Sequence, residues 1–237
     1  MTQPAPTQAV IQYVPSVQRV KVFVDFWNFK LSMDDCEAHH QGVQPGEVRV
    51  EINWWGLGEW LAKKAAELAK IQSHQYEGVH IYASYDPAKL KDKGFHKWIT
   101  DLNRKPGIHV ECLERKKRGA PNCPVCHQPV ERCPHCTAEM VGTSEKGVDA
   151  FLVTDMIRLA WEGAYDVAVV ASSDRDLIPA ADYLETKGKK VIQAAFSPKG
   201  EDLGKACWGV LDIQAIRKEI YRAEPNIHKL ERGAART

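Results

Sequence analysis

The sequence predicts an α/β fold with a central, mainly parallel sheet. Two runs, RVKVFVD (Arg19–Asp25) and DVAVVAS (Asp166–Ser172), are short, unbroken and apolar, the pattern of strands buried on both faces. Apolar residues elsewhere recur at helical spacing, and strands alternating with helices imply βαβ crossovers. In open sheets of this kind the functional crevice lies beyond the carboxyl ends of the strands. Asp25 and the pair Asp174 and Asp176 fall at that place.

Residues 1–18, with Pro and Gln and no periodicity, read as a flexible N-terminal arm. After the first strand, Phe26–Lys30 leads into a polar stretch, punctuated by Gly and Pro, that runs to about Ile52. Asn53 is placed to cap a helix. Behind it Trp54, Leu57, Trp60, Leu61, Ala65 and Leu68 form a helical stripe. Gly78 closes that segment, and Val79–Tyr85 reads as the second strand. A helix over Lys91–Asn103 sets Phe95, Trp98, Ile99 and Leu102 on one side. Pro106 and Gly107 then turn the chain into a third strand, Ile108–Leu113.

Composition changes next. Residues 115–142 form an insertion that starts with the basic run Arg115–Arg118 and carries a cysteine-rich piece to about Cys136. From Lys146 the α/β pattern resumes with a helix, Gly147–Glu162, apolar nearly all round and so expected to be deeply packed. The strand Asp166–Ser172, a helix over Leu177–Thr186 and a strand over Lys189–Ala195 follow. Leu203–Val210 reads as a short helix and Leu211–Ile216 as a weak final strand or turn. The main domain is therefore expected over 19–221, with 222–237 a flexible tail.

Charge is balanced, with 32 Lys and Arg against 31 Asp and Glu, so any nucleic-acid surface must be local. The chain has no apolar run of ~18 residues, which excludes a membrane-spanning helix. Its start lacks a basic segment followed by an apolar core, which argues against a secretory signal. Seven cysteines, four of them in paired CxxC units, fit a reduced compartment with metal binding better than a disulfide framework. The expected location is cytoplasmic. No G-x-x-x-x-G-K-[ST] loop is present to support ATP-driven chemistry.

The acids form the most telling pattern. Asp25 ends the first strand, with Asn28 one turn on. Asp149 lies in the first turn of the helix after Gly147. Val148, Leu152, Asp155 and Leu159 share a helical stripe, so Asp155 sits among apolar neighbours, which is costly unless it is paired, protonated or bound to a cation. Each acid alone has an ordinary reading: Asp149 favouring a helix dipole, Asp174 capping the next helix, Asp25 in a loop. Together they suggest a shared site whose hard oxygen ligands select Mg²⁺ or Mn²⁺. Such an ion activates water and stabilises charge developing on a phosphoryl group.

The segments VFVDFWNF, SEKGVDAFLVTDMIRLAW, YDVAVVASSDRDLIPAADYLETKGKKV and the later CW resemble the NYN-domain family of PIN-like ribonucleases. D-x-x-N, K-G-V-D and S-S-D-x-D occur in the family's order over roughly residues 19–215, interrupted by the cysteine piece. The resemblance implies a PIN-like three-layer α/β/α sandwich and divalent-metal-dependent hydrolysis of phosphodiesters, with RNA, single-stranded or structured, the usual substrate. It implies that Asp25, Asp149 and Asp174 hold the metal, that Asp176 completes the cluster and that Asn28 orients ligand or water. Asp155 matches a further family acid. Many members read S-G-D-x-D-F in the last motif; here Ser173 replaces the Gly and Leu177 the Phe, and no ligand is lost. PIN-like relatives often pair, so a homodimer is an open expectation.

Cys123, Cys126, Cys133 and Cys136 form a C-x2-C-x6-C-x2-C array, which suits a closed tetrahedron of four thiolates around a structural Zn²⁺. Free thiols and an iron centre are the alternatives. The Gly that usually follows each knuckle is replaced by His127 and Thr137. Cys36, Cys112 and Cys207 read as ordinary thiols, and His127 and His135 as exposed knuckle residues. Candidate RNA contacts are Arg115, Lys116, Lys117, Arg118 and Arg132 around the insertion. Lys30, Lys146, Arg175, Ser172 and Ser173 lie near the acids, and Trp27 is a base-stacking candidate. Two other readings stay open beside a metal-dependent endoribonuclease: a non-cleaving RNA-binding or assembly module, and a phosphohydrolase of small substrates. The last is disfavoured, because Trp27 stands where haloacid-dehalogenase-type sites place a second Asp.

Overall fold

The computed structural model describes residues 17–227. The arm expected over 1–18 therefore lies almost wholly outside the described residues, as do residues 228–237 of the expected tail. The first strand, β1 (Gln18–Asp25), runs straight into a helix, α1 (Phe26–Gln41). There follow a short strand β2 (Val48–Arg49), α2 (Trp54–Leu68), β3 (His74–Tyr85), α3 (Leu90–Leu102) and β4 (Ile108–Glu114). An antiparallel ribbon of β5 (Lys116–Arg118) and β6 (Gly142–Ser144) carries the insertion. The second half contains α4 (Val148–Trp161), β7 (Val167–Ala171), a 3₁₀ turn over Arg175–Leu177 and α5 (Ile178–Thr186). It closes with β8 (Lys190–Ala195), α6 (Glu201–Ala206), β9 (Gly209–Asp212), α7 (Ile213–Ile216) and β10 (Asn226–Ile227).

Six strands form one parallel sheet in the order β4-β3-β1-β7-β8-β9. The order reverses at β1 and β7, so their carboxyl ends flank the switch point, where such sheets place their sites. Alternation along the strands feeds two cores. Val20, Val22 and Val24 join Val167 and Val169 beneath α1, α2 and α3, whereas Phe23, Ala168 and Val170 face α4 and α5. A sheet covered on both faces explains why its central strands read as continuous apolar runs. This is the PIN-like three-layer α/β/α arrangement. Among the described residues no helix is long and apolar enough to cross a membrane.

Several expectations are corrected. The polar stretch after Lys30 is helical as far as Gln41, and Gly42 ends it at φ +66° with its N–H on Ala38 and His39. Gly78 lies inside β3, next to an irregularity in the β1–β3 register, with φ +93° and no room for a Cβ, which would lie 2.8 Å from the Gly107 carbonyl oxygen. Helix α4 buries only the face of Val148, Leu152, Met156 and Leu159, and leaves Phe151 and Trp161 exposed. The helix expected over Leu203–Val210 ends at Ala206, as α6, and its last two residues begin β9; within the expected tail Asn226–Ile227 pairs with β2.

Candidate active site

The register of β1 against β7 sets Val24 opposite Ala171, so Asp25 and Ser172 emerge side by side at the sheet's edge. Asp25 is 7% exposed. It caps α1, accepting the Asn28 N–H at 3.2 Å, and lies 3.5 Å from the Ser172 hydroxyl. Asn28 Oδ1 in turn accepts the N–H of Ser173 at 2.9 Å. The Asp174 N–H donates to Ser172 Oγ at 3.1 Å, and Asp174 Oδ1 accepts the Asp176 N–H at 2.9 Å. Asp174 therefore caps the 3₁₀ turn while its carboxylate stays at the edge.

The carboxylates repel one another. Burial pushes the Asp25 carboxyl up to about 7, and the charges of Asp149, Glu145 and Asp174 push in the same direction, against the Asn28 N–H. Partial loss of hydration raises Asp149 too, helped by Asp174, Glu145 and Asp176. Side chains from β1, from the start of α4 and from the turn after β7 thus feel one another's charge. Glu145 was not legible as part of this edge, although it stands immediately before the K-G-V-D motif. It accepts a hydrogen bond from the Ser84 hydroxyl and lies 3.6 Å from Arg115.

A crevice of about 530 Å³ opens beside the edge, lined by Asn28, Ser173, Asp174 and Arg175 and, across from them, Gly200, Glu201 and Asp202. The last two acids were also missed; their signal is only an acidic pair after Gly200. Gln193 fixes the far wall, its amide donating to the carbonyls of Ser172 and Gly200, both at 3.0 Å.

Not every residue singled out from sequence reaches this place. Asp155 accepts from Tyr82 Oη at 3.0 Å and from Arg158 at 2.9 Å, beside His80. Burial works against its charge, but Arg158 and Tyr82 outweigh that and hold its carboxyl below the usual range. The acid in the apolar stripe is thus matched by an ion pair, and the structure does not bring it to Asp25. Ser172 is buried and engaged by its neighbours, which removes it as a phosphate contact. Trp27 donates Nε1–H to the Ser84 carbonyl at 2.7 Å, packed on Phe95 with Arg115 above its ring. Lys30 pairs with Asp34. Arg175 and Lys146 are exposed, as are Lys116, Lys117 and Arg118 on the ribbon. Arg132 reaches the Thr137 carbonyl at 3.4 Å.

The insertion is anchored at the acidic edge. Arg115 Nε donates to Ser84 Oγ at 2.9 Å, and Thr143 Oγ1 donates to Asp86 at 3.3 Å. Its cysteine piece consists of two like turns. Cys123 draws on the N–H groups of Cys126 and Val125, and Cys133 on those of Cys136 and His135, and these bonds lower both thiol pKa values. His127 and Thr137 adopt φ +57° and +60°. Those are the positions where a knuckle favours Gly, so the turns form with non-Gly residues in the left-handed region. Among the described residues, no group of three or more His, Cys, Asp and Glu side chains stands ready-made to hold a metal ion. The donors nonetheless fit their expected metals in kind: oxygen at the edge, with a carboxylate whose charge is costly alone, and N–H-assisted thiols in the insertion.

A family model for the NYN domain matches residues 19–214. The chain belongs to the NYN domain family. NYN domains are generally nuclease-like and act on RNA, and nucleases of this PIN-like group generally use divalent metal ions. A comparison with curated proteins found no match. A solved structure of a protein of unknown function from Vibrio parahaemolyticus aligns at 13% identity and a TM-score of 0.48, covering 85% of this chain and 96% of that one.

Proposed function

We propose that this NYN protein is a divalent-cation-dependent endoribonuclease, cleaving phosphodiester bonds at the edge formed by Asp25, Asp149 and Asp174. The observation that carries the reading is Asp25 itself. A carboxylate 7% exposed, pushed up to about 7 by burial and by Asp149, Glu145 and Asp174, is a poor structural choice. It becomes a good one beside a cation. Asp25, Asp149 and Asp174 would hold Mg²⁺ or Mn²⁺, with Asp176 adjoining, and the ion would supply Lewis acidity toward water and the phosphoryl group.

The chain's own residues do the rest. Asn28 keeps the turn after β7 in line with α1, and so sets the spacing of Asp25 and Asp174. Arg175, exposed on the crevice, is available to a phosphate. Arg115 and the ribbon Lys116–Arg118 offer a positive approach for the RNA backbone. We also assign Cys123, Cys126, Cys133 and Cys136 to one structural Zn²⁺, a closed site with no catalytic position. The paired, N–H-supported turns support that assignment.

The test is cleavage of single-stranded RNA by purified protein with Mn²⁺ or Mg²⁺, against the Asp174→Asn variant. Activity present in the wild type and lost in the variant is expected. Equal degradation by both forms would assign the activity to a contaminant. RNA binding without cleavage would favour the non-cleaving module.

A further inference from the structure

On the α1–α3 side of the acidic edge, core rings floor an aromatic groove whose exposed rings neither the core nor the proposed chemistry accounts for. Two adjoining depressions of about 350 and 310 Å³ share Ile52, Trp54, Trp98 and Arg222 among their walls. Phe26 forms part of the floor of the smaller one, stacked on Trp54 with ring centroids 4.5 Å apart. Most aromatic clusters of this kind are core. Here Trp98 is 39% exposed and Trp55, at the rim, 65%.

The rings run back to the site. Asp25 is followed directly by Phe26, and Trp27 lies edge-on to Phe26 at 4.9 Å. Arg115, bound to the edge through Ser84 and Glu145, covers Trp27. The rim carries Lys105, 5.1 Å over the Trp55 ring, and Arg222, with Glu51 the acid among the lining residues, while Lys30 on the wall is paired with Asp34. Flat rings with cations beside them suit unpaired bases on a phosphate backbone, whose stacking needs no particular sequence.

We propose that this groove binds one or two unpaired bases of the RNA strand whose backbone crosses the acidic edge. Single-stranded RNA is favoured over an apolar peptide by Lys105 and Arg222 at the rim and by the ring contact that joins Trp98 to Phe26, the residue next to Asp25. The proposal rests on the RNA reading above, but its test separates the two.

Binding is measured on the full chain, with EDTA present to keep the RNA intact, using a short labelled single strand and a duplex of the same length. Trp55→Ala/Trp98→Ala should weaken single-strand binding about tenfold or more, and Lys105→Glu should weaken it without touching any buried side chain. With Mn²⁺ added, the double variant should raise KM and largely keep kcat, with its circular-dichroism spectrum unchanged. Loss of binding in the variants would sustain the groove even if the wild type cleaved nothing. Unaltered binding and KM would overturn it while leaving the nuclease reading intact. Duplex bound as tightly as single strand would also overturn it, as would displacement of RNA by an apolar peptide. So would a change in Trp55 or Trp98 emission on deleting residues 1–16 or 228–237 that leaves RNA binding unaltered, since the chain's own ends would then fill the groove.

Discussion

Asn28 Oδ1 accepts the backbone N–H of Ser173 at 2.9 Å, joining the first turn of α1 to the turn after β7, 145 residues later. Its own N–H holds Asp25 at 3.2 Å. One residue therefore ties together both acid-bearing strand ends, through one backbone donor and one side-chain acceptor. A sheet edge alone does not fix the distance between two loops; this bridge does.

Asn28→Ala removes the acceptor and frees the Ser173 N–H. RNA cleavage should fall on the order of 100-fold, the scale expected when a catalytic group moves by about 1 Å. Stability should fall only about 1 kcal/mol, the worth of one ordinary hydrogen bond. Single-turnover cleavage and urea melts separate the two effects. A variant with unaltered cleavage would remove Asn28 from the site.

Gly200 faces Asn28 and Asp174 across the crevice. Its φ is +83°, and a Cβ there would lie 2.9 Å from Ser173 Cα and 2.7 Å from Gln193 Nε2. Gly200→Ala should cost about 2 kcal/mol or more, from left-handed backbone strain and overpacking together. It should also reduce cleavage, because the displaced atoms belong to the turn that carries Asp174. Gly119→Ala, with open space around it, is the control expected to change nothing.

For the insertion, metal analysis of the purified protein should find about one zinc per chain, lost in Cys126→Ser/Cys133→Ser. The loss should leave the main domain folded, because the hydrogen bonds that tie the ribbon of β5 and β6 to it, from Arg115 and Thr143, lie at its base. Wild-type protein that is fully folded and free of zinc would exclude the assignment.

The sheet was legible because both faces of β1 and β7 are buried, which writes strands directly as Val20–Val24 and Val167–Ala171. Asn53 as a helix cap was legible for the same local reason: its side chain accepts the Gly56 N–H. Helix α1 was not. It buries Ser32, Asp34 and Glu37 beside Phe29 and Met33, which blurs its apolar stripe. Ser32 donates to the Asn28 carbonyl one turn back, whereas the two acids draw on partners farther along the chain: Val50 N–H on Asp34 at 2.8 Å, Arg217 and Tyr221 on Glu37 at 2.8 and 2.7 Å. At the site, motif spacing pointed to Asp25, Asp149 and Asp174, which the structure brings within reach of one another's charge. It could not supply Glu145, Glu201 or Asp202, which depend on loop paths. Asp155 misled because its i,i+3 pairing with Arg158, legible on the helix, was passed over and Tyr82, its other partner, lies 73 residues away.

The pH dependence of stability should carry the mark of His80. Burial holds its imidazole down at about 4, with the charges of Lys21 and His109 acting the same way and Asp155 opposing them; Tyr82 and Arg158 complete its surroundings. Unfolding returns the ring to its ordinary value of 6.5. Between those values the unfolded chain binds the extra proton, so stability rises with pH there. His80 thus contributes stability that is fully present above 6.5 and lost as pH falls toward 4, at most about 3 kcal/mol. His80→Phe keeps a ring against Phe23 and His109 but cannot titrate. Urea melts from pH 7 down to 4 should therefore show a shallower decline in the variant than in the wild type. Parallel curves would mean that His80 is already hydrated and titrates normally in the folded protein.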